Sequence, residues 1–269
     1  MKKIKVGCHN FLNSKPFILP LIRGDLKHHF EIILDTPVKI SELLRKGKLD
    51  VGFIPSIEYL KNKNLKLIPD ICIASDGEVK SVILLSKKEI KKIKTVALDK
   101  RSKTSVALLK ILFKKFYKVN VKYLEDTKAN QQKADSKLII GDEALFFTYP
   151  ARVPAASQEL PCYIFDLGKE WKKFTKLPFV FAVIAAKPTV NLDYVRETLL
   201  KAKSIGIRDI ADIAMKTADQ AGLSYNQCYN YLSDKIKYGL GRKELKGLSR
   251  FQDLVFEIGE LKGKREIRT

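Results

Sequence analysis

Ser102, Lys103, Thr104 and Ser105 fall together where an apolar strand pattern, Thr95 to Leu98, gives way to a long amphipathic one. That second pattern puts Val106, Leu109, Leu112, Phe113 and Phe116 on one face and predicts a helix. A helix start leaves backbone N–H groups without intrahelical partners, and the macrodipole adds partial positive charge there. Hydroxyls and an ammonium at such a spot suit an anion, a carboxylate or a phosphate. The same residues also make an ordinary helix cap, with Ser102 or Thr104 as the capping side chain. Four more polar residues stand in or just beyond apolar strands. Asn13, with Ser14, follows the strand expected over Lys3 to Cys8, and Asp142 follows the one over Lys137 to Ile140. Ligands of open α/β sheets bind outside the carboxyl ends of strands, which makes these residues candidates. Turn chemistry at Asn13 and a cap at Asp142 for Glu143 to Phe147 are the alternatives. Ser81 interrupts the apolar run Val79 to Ser86, where a buried serine ordinarily bonds a neighbouring backbone group.

The elements that must carry these residues alternate. Strands are expected over Lys3 to Cys8, Phe30 to Leu34 and Asp50 to Ile54. Helical stretches follow them at Phe17 to Ile22, Ile40 to Arg45 and Ile57 to Leu60. This alternation argues for a parallel sheet. The charged run Lys87 to Lys94 reads as the crossing into a second lobe. That lobe continues with Thr95 to Leu98, the organising helix, Asn120 to Leu124, a polar linker TKANQQKADS and Lys137 to Ile140. Pro150 to Pro161 reads as loop, and the apolar Phe179 to Ala186 as a strand returning to the first lobe. The remainder reads as successive amphipathic helices. The expected division is residues 1–88 and 187–269 for the first lobe and 89–186 for an inserted second lobe.

The formal net charge of +21 invites a nucleic-acid reading. Residues 86 to 137 hold 16 Lys and Arg against 5 Asp and Glu, so the surplus is regional. It is nearly all lysine on helix faces, without interleaved aromatics, which favours a solvated surface that also draws small polyanions. The stretch DIADIAMKTADQAGLSYNQCYNYL resembles a helix-turn-helix. Residues 200 to 269 carry 14 Lys and Arg against 9 Asp and Glu, and helix-on-helix packing is favoured over DNA reading. No run of 18 apolar residues predicts a membrane span, and the N-terminus lacks the apolar core of a signal peptide. A cytoplasmic protein is therefore expected, with Cys8, Cys72, Cys162 and Cys228 as reduced structural thiols that match no zinc spacing. No metal or other cofactor is expected, and the oligomeric state is not readable.

FLNSKP (Phe11 to Pro16), LDVGFIPSIEY (Leu49 to Tyr59), SDGEVKSVILLS (Ser75 to Ser86), LDKRSKTSVALLKIL (Leu98 to Leu112), IGDEAL (Ile140 to Leu145) and DLGKEWKKFTKLPFVFAV (Asp166 to Val183) occur in that order. Together they resemble the menaquinone-biosynthesis family, most closely its chorismate dehydratase branch in the futalosine pathway. The resemblance implies an α/β, two-lobed type II periplasmic-binding-protein-like fold with the ligand cleft between the lobes and a helical C-terminal segment. It implies a hydro-lyase that removes water from the dicarboxylate chorismate to give 3-[(1-carboxyvinyl)oxy]benzoate, with no nucleic acid or membrane as partner. Under it, Asn13 and Ser81 match cleft positions that would bond the ring hydroxyl or a carboxylate. Ser102 to Ser105 would hold one carboxylate, with Ser56 as a further binding residue. Asp142 or the substrate's own enolpyruvyl carboxylate would take the proton. All three histidines, His9, His28 and His29, lie before residue 30, leaving few candidates for a histidine base later in the chain. Three positions depart from the family pattern: Lys103 stands where arginine is common, Pro55 where a small hydroxyl residue is usual, and Lys176 where glycine is usual. The sister dihydroxynaphthoate synthase activity and a non-enzymatic ligand-binding protein of the same fold are the competing expectations.

Overall fold

The computed structural model describes residues 3–149 and 163–267. The chain opens with β1 (Ile4–Cys8), a short 3-10 turn (Leu12–Ser14), α1 (Lys15–Arg23), β2 (Phe30–Leu34), α2 (Pro37–Arg45), β3 (Val51–Pro55), α3 (Ser56–Lys61) and β4 (Lys66–Ser75). It then builds β5 (Val82–Ser86), β6 (Thr95–Ala97), α4 (Lys103–Ile111), β7 (Lys122–Leu124), α5 (Lys128–Lys133), β8 (Ser136–Ile140), α6 (Asp142–Thr148), β9 (Tyr163–Asp166) and α7 (Leu167–Thr175). β10 (Phe179–Ala186) follows, then α8 (Leu192–Arg208), α9 (Ile210–Thr217), α10 (Tyr225–Asn230) and α11 (Arg242–Glu257).

Two five-stranded sheets result, in the orders β2-β1-β3-β10-β4 and β7-β6-β8-β5-β9. β1 pairs in parallel with β2 and β3, and β6 with β7 and β8, as strand–helix alternation requires. Both sheets are nevertheless mixed. β10 runs antiparallel between β3 and β4, and β5 antiparallel between β8 and β9. These two strands also fall on the other side of the boundaries expected from the sequence: Val82–Ser86 belongs to the second sheet and Phe179–Ala186 to the first. A continuous apolar run announces a strand covered on both faces, without saying which sheet covers it. The chain passes between lobes in the short stretches 76–81 and 176–178, so Lys87 to Lys94 lies within the second lobe rather than leading into it.

Local caps set several helix starts. The Thr36 hydroxyl accepts the Lys39 N–H before α2, Ser102 the Ser105 N–H in α4, and Asp166 the Lys169 N–H in α7. Thr127 caps α5, so the stretch expected to be a polar linker contains a helix. The loop expected at Pro150 to Pro161, and Cys162, lie outside the described residues. Cys8, Cys72 and Cys228 are buried free thiols.

The lobes share one continuous apolar core. α4 carries Leu108, Leu109 and Leu112, at its end, into it, and packs on α3, α11 and β10 of the first lobe. Trp171 is wholly buried against Phe179 and Phe251 and donates its Nε1–H to the Pro178 carbonyl at 3.1 Å. On the far side α1 lies directly on α8: a Cβ on Gly206 would stand 1.8 Å from the Pro16 carbonyl oxygen. Glycine is required there, and that contact fixes the helix that begins just after Asn13.

Candidate active site

The cleft lies between the carboxyl end of β1 and the second lobe. Beyond Cys8 the chain folds on itself: the Ser14 hydroxyl reaches the carbonyls of His9 (2.6 Å) and Phe11 (2.8 Å). The turn is tied to the second lobe by the Leu12 N–H, which donates to Asp142 Oδ1 at 3.0 Å. Gly141, at φ +69°, precedes that carboxylate, and a Cβ there would meet the Phe11 ring at 3.0 Å. Only glycine combines that backbone angle with so close an aromatic face. Burial raises the Asp142 carboxyl above its ordinary range, against the lowering effect of the Leu12 N–H.

Ser81 is presented from the opposite side by a strained turn. Lys80 sits at φ +65°, a left-handed conformation that costs a lysine energy. Asp166 holds it there. Its carboxylate accepts the Val79 N–H at 3.0 and 3.1 Å and the Lys80 N–H at 2.6 Å while capping α7 through the Lys169 N–H at 2.9 Å. The Ser81 carbonyl in turn accepts the Gly141 N–H at 2.8 Å, so the two cleft-facing segments of the second lobe are locked together.

Asn13, Ser81, Ser102 and Ser105 all line this cleft. The Ser102 and Ser105 hydroxyls are 3.0 Å apart, and Ser102 Oγ takes the Ser105 N–H at 3.3 Å. The helix start is thus present and self-capped, with both serines lining the cleft. Phe11, Val79 and Phe181 supply apolar walls. About 50 Å³ is open to water, room for a few molecules. A larger concavity, about 1150 Å³, lies elsewhere on the first lobe beside α2, α3 and the chain after α11. Its lining is rich in lysine; the cleft is where polar side chains of both lobes converge.

Three expected binding residues are turned away from the cleft. Lys103 points into that outer groove and pairs with Glu58 at 3.0 Å. Thr104, wholly buried, accepts the Ile57 N–H on its Oγ1 at 3.2 Å and so caps α3 from α4. Ser56, also wholly buried, donates its hydroxyl to the Val180 carbonyl at 2.7 Å. For the two on α4 the reason is helical phase. Ser102 and Ser105 are one turn apart and share a face, whereas Lys103 and Thr104 lie on the faces that meet the first lobe.

The structure adds residues that sequence reasoning passed over. His9 lines the cleft, is 5% exposed, and its Nδ1 is buried without a hydrogen-bond partner. Burial alone lowers its pKa to about 4, so the imidazole is neutral near pH 7. Its place at the carboxyl end of a strand, the signal that marked Asn13, also marked His9. Asn13 Oδ1 and the Tyr231 hydroxyl are likewise buried, with no hydrogen bond of good geometry. Tyr231 faces Ser81 and Asn13 from the helical C-terminal segment, and nothing in the sequence linked it to them. Asp166, noted in the sequence only as the start of a family block, caps α7 and holds Lys80. Among the described residues no group of His, Cys, Asp and Glu is placed to hold a metal ion.

A family model described as menaquinone biosynthesis matches residues 4–257. The chain belongs to that family. The curated chorismate dehydratase of Thermus thermophilus is 30% identical over 268 residues, spanning 90% of this chain and 96% of that protein. The curated chorismate dehydratase of Campylobacter jejuni is 29% identical over 251 residues, spanning 91% and 94%. Among solved structures, a protein of Archaeoglobus fulgidus superposes with a TM-score of 0.71 at 17% identity, covering 96% of this chain and 98% of that one. The periplasmic aliphatic sulphonate binding protein of Escherichia coli superposes at 0.63 and 16%, covering 98% and 90%. These likenesses establish the two-lobed periplasmic-binding-protein-like fold for this member of the family. Among the described residues no helix is long and apolar enough to cross a membrane.

Proposed function

We propose that this protein is a chorismate dehydratase, a hydro-lyase that converts chorismate to 3-[(1-carboxyvinyl)oxy]benzoate and water in menaquinone biosynthesis by the futalosine pathway. The observation that carries the reading is the likeness, over nine-tenths of the chain, to curated enzymes of that name. The cleft agrees with it, because Asn13, Ser81 and the start of α4 converge on one enclosed space. Buried free thiols at Cys8, Cys72 and Cys228 support a cytoplasmic setting, where thiols stay reduced.

In this reading one substrate carboxylate sits against the Ser102 and Ser105 hydroxyls at the α4 start. The Asn13 amide and Ser81 hydroxyl hold the ring hydroxyl that leaves. The C–H bond beside it breaks, its electron pair forms the new ring double bond, and the hydroxyl departs with a proton as water. Aromatisation drives the step, so the protein's work is orientation and the exclusion of competing losses. Asp142 is engaged by the Leu12 N–H and serves to tie the lobes. The substrate's own enolpyruvyl carboxylate is the proton acceptor. A ring bearing two carboxylates needs more than the present free space, so the lobes part to admit it and close over it. Purified protein incubated with chorismate should yield the aromatic product, followed by ultraviolet absorbance and chromatography. Recovery of unchanged chorismate overturns the assignment. An analogue with the enolpyruvyl carboxylate converted to an amide should turn over poorly, and near-normal turnover would exclude self-assistance.

A further inference from the structure

Among the described residues the cleft is lined by no lysine or arginine. Of the side chains that line it among the described residues, His9 is the only one that can gain a positive charge. A dicarboxylate buried between the lobes would therefore carry two negative charges into a space whose fixed compensation is one helix start. That start, with about half an elementary positive charge, balances part of one carboxylate. Burying the rest uncompensated is costly, and proteins avoid it by pairing the charge or by moving a proton.

His9 has the geometry to answer that need. Its ring is almost fully enclosed, tilted against Phe11 at a centroid distance of 5.1 Å, and held on a segment whose carbonyl is pinned by the Ser14 hydroxyl. Its Nδ1 is buried with no partner, so a lone pair or N–H is free for a ligand. The surrounding ionisable groups leave that role to it. The Cys8 thiol is kept protonated by burial. Lys15 Nζ is turned to Asn10 Oδ1 at 2.6 Å, and the Asp142 carboxylate is bound to the Leu12 N–H.

We propose that His9 contacts the bound dicarboxylate directly and takes up a proton when that ligand enters the cleft, supplying a cation that no other described lining residue offers. The inference rests on the reading of the cleft as a dicarboxylate site. In the empty protein burial holds the ring neutral; a carboxylate alongside reverses the balance, because an opposite charge within a few ångströms favours the imidazolium. Binding then consumes protons, and affinity falls as pH rises from the empty ring's pKa of about 4 through neutrality toward its higher value in the complex.

Isothermal titration near neutral pH, in two buffers of different ionisation enthalpy, reads the proton directly in the unmodified protein. Two ligands serve as probes: 3-[(1-carboxyvinyl)oxy]benzoate, which is not consumed, and isophthalate, a plain aromatic dicarboxylate. The expected result is uptake of about one proton per ligand, with His9→Gln abolishing the uptake and weakening affinity by about tenfold or more. Equal heats in the two buffers for the unmodified protein overturn the inference even if chorismate is turned over. Binding of isophthalate with proton uptake, but no turnover of chorismate, upholds the inference and removes the enzymatic reading. Failure of both probes to bind overturns both.

Discussion

Replacing Ser105 by aspartate puts a carboxylate on the cleft face of α4, one bond beyond a hydroxyl that is 3.0 Å from Ser102 Oγ. Ser105 is 1% exposed, so solvent screens the new charge little. The variant should fold, because an acidic side chain in the first turn of a helix is favoured by the macrodipole. It would occupy the place proposed for the ligand's own carboxylate. Two like charges about 4 Å apart at an effective dielectric constant near 20 repel by about 4 kcal/mol, which weakens binding by about a thousandfold. Ser105→Ala removes only a neutral hydroxyl contact, about 1 kcal/mol, or about fivefold. Titration with 3-[(1-carboxyvinyl)oxy]benzoate measures both, with circular dichroism to confirm that each variant is folded. A folded Ser105→Asp protein that binds within about tenfold of the unmodified one, less than 1.4 kcal/mol, would show that no carboxylate sits at this helix start.

Lys103→Ala should leave affinity for the same ligand within about twofold. It should cost no more than about 1 kcal/mol of stability, since this half-exposed ammonium faces Glu58 and the outer groove. A tenfold loss of affinity, about 1.4 kcal/mol, would place the side chain in the cleft after all. Asp166→Ala strips the partner from three backbone N–H groups, of Val79, Lys80 and Lys169. It should cost about 3 kcal/mol or more in urea unfolding and lower kcat as the turn presenting Ser81 relaxes; unchanged values of both would refute the clamp. The pH dependence of stability isolates His9. Its folded pKa of about 4 lies below the ordinary 6.5, so the unfolded chain binds the proton first as pH falls. Stability present above about pH 6.5 is then lost toward pH 4, up to about 3 kcal/mol of it through this residue. His9→Gln should flatten that slope, and identical slopes in the two proteins would show that the ring is not buried.

The local chemistry of the sequence decided much. Strand and helix periodicities placed β1, β2, β3 and β8 within a residue or two of where they form, because period and burial are both local properties of a run. Ser102 was legible as a cap from the hydroxyl before an amphipathic pattern, and it caps α4. Asn13 and Ser81 were legible as candidates from their places in and beyond apolar strands, and both line the cleft. What the chain could not declare was which of four consecutive polar residues faces the cleft. Ser102 and Ser105 turn inward, while Lys103 and Thr104 turn to Glu58 and Ile57, since that choice depends on where α3 and α11 press against α4. Nor could it show that Asp166, more than eighty residues away, holds Ser81 in place, or that Tyr231 arrives beside Ser81 from the C-terminal helices. Sequence separation carries no information about such meetings; only the closing of one lobe on the other does. That no lysine or arginine among the described residues lines the cleft of so cationic a chain, while His9 does, likewise emerges only when the two sheets are brought together.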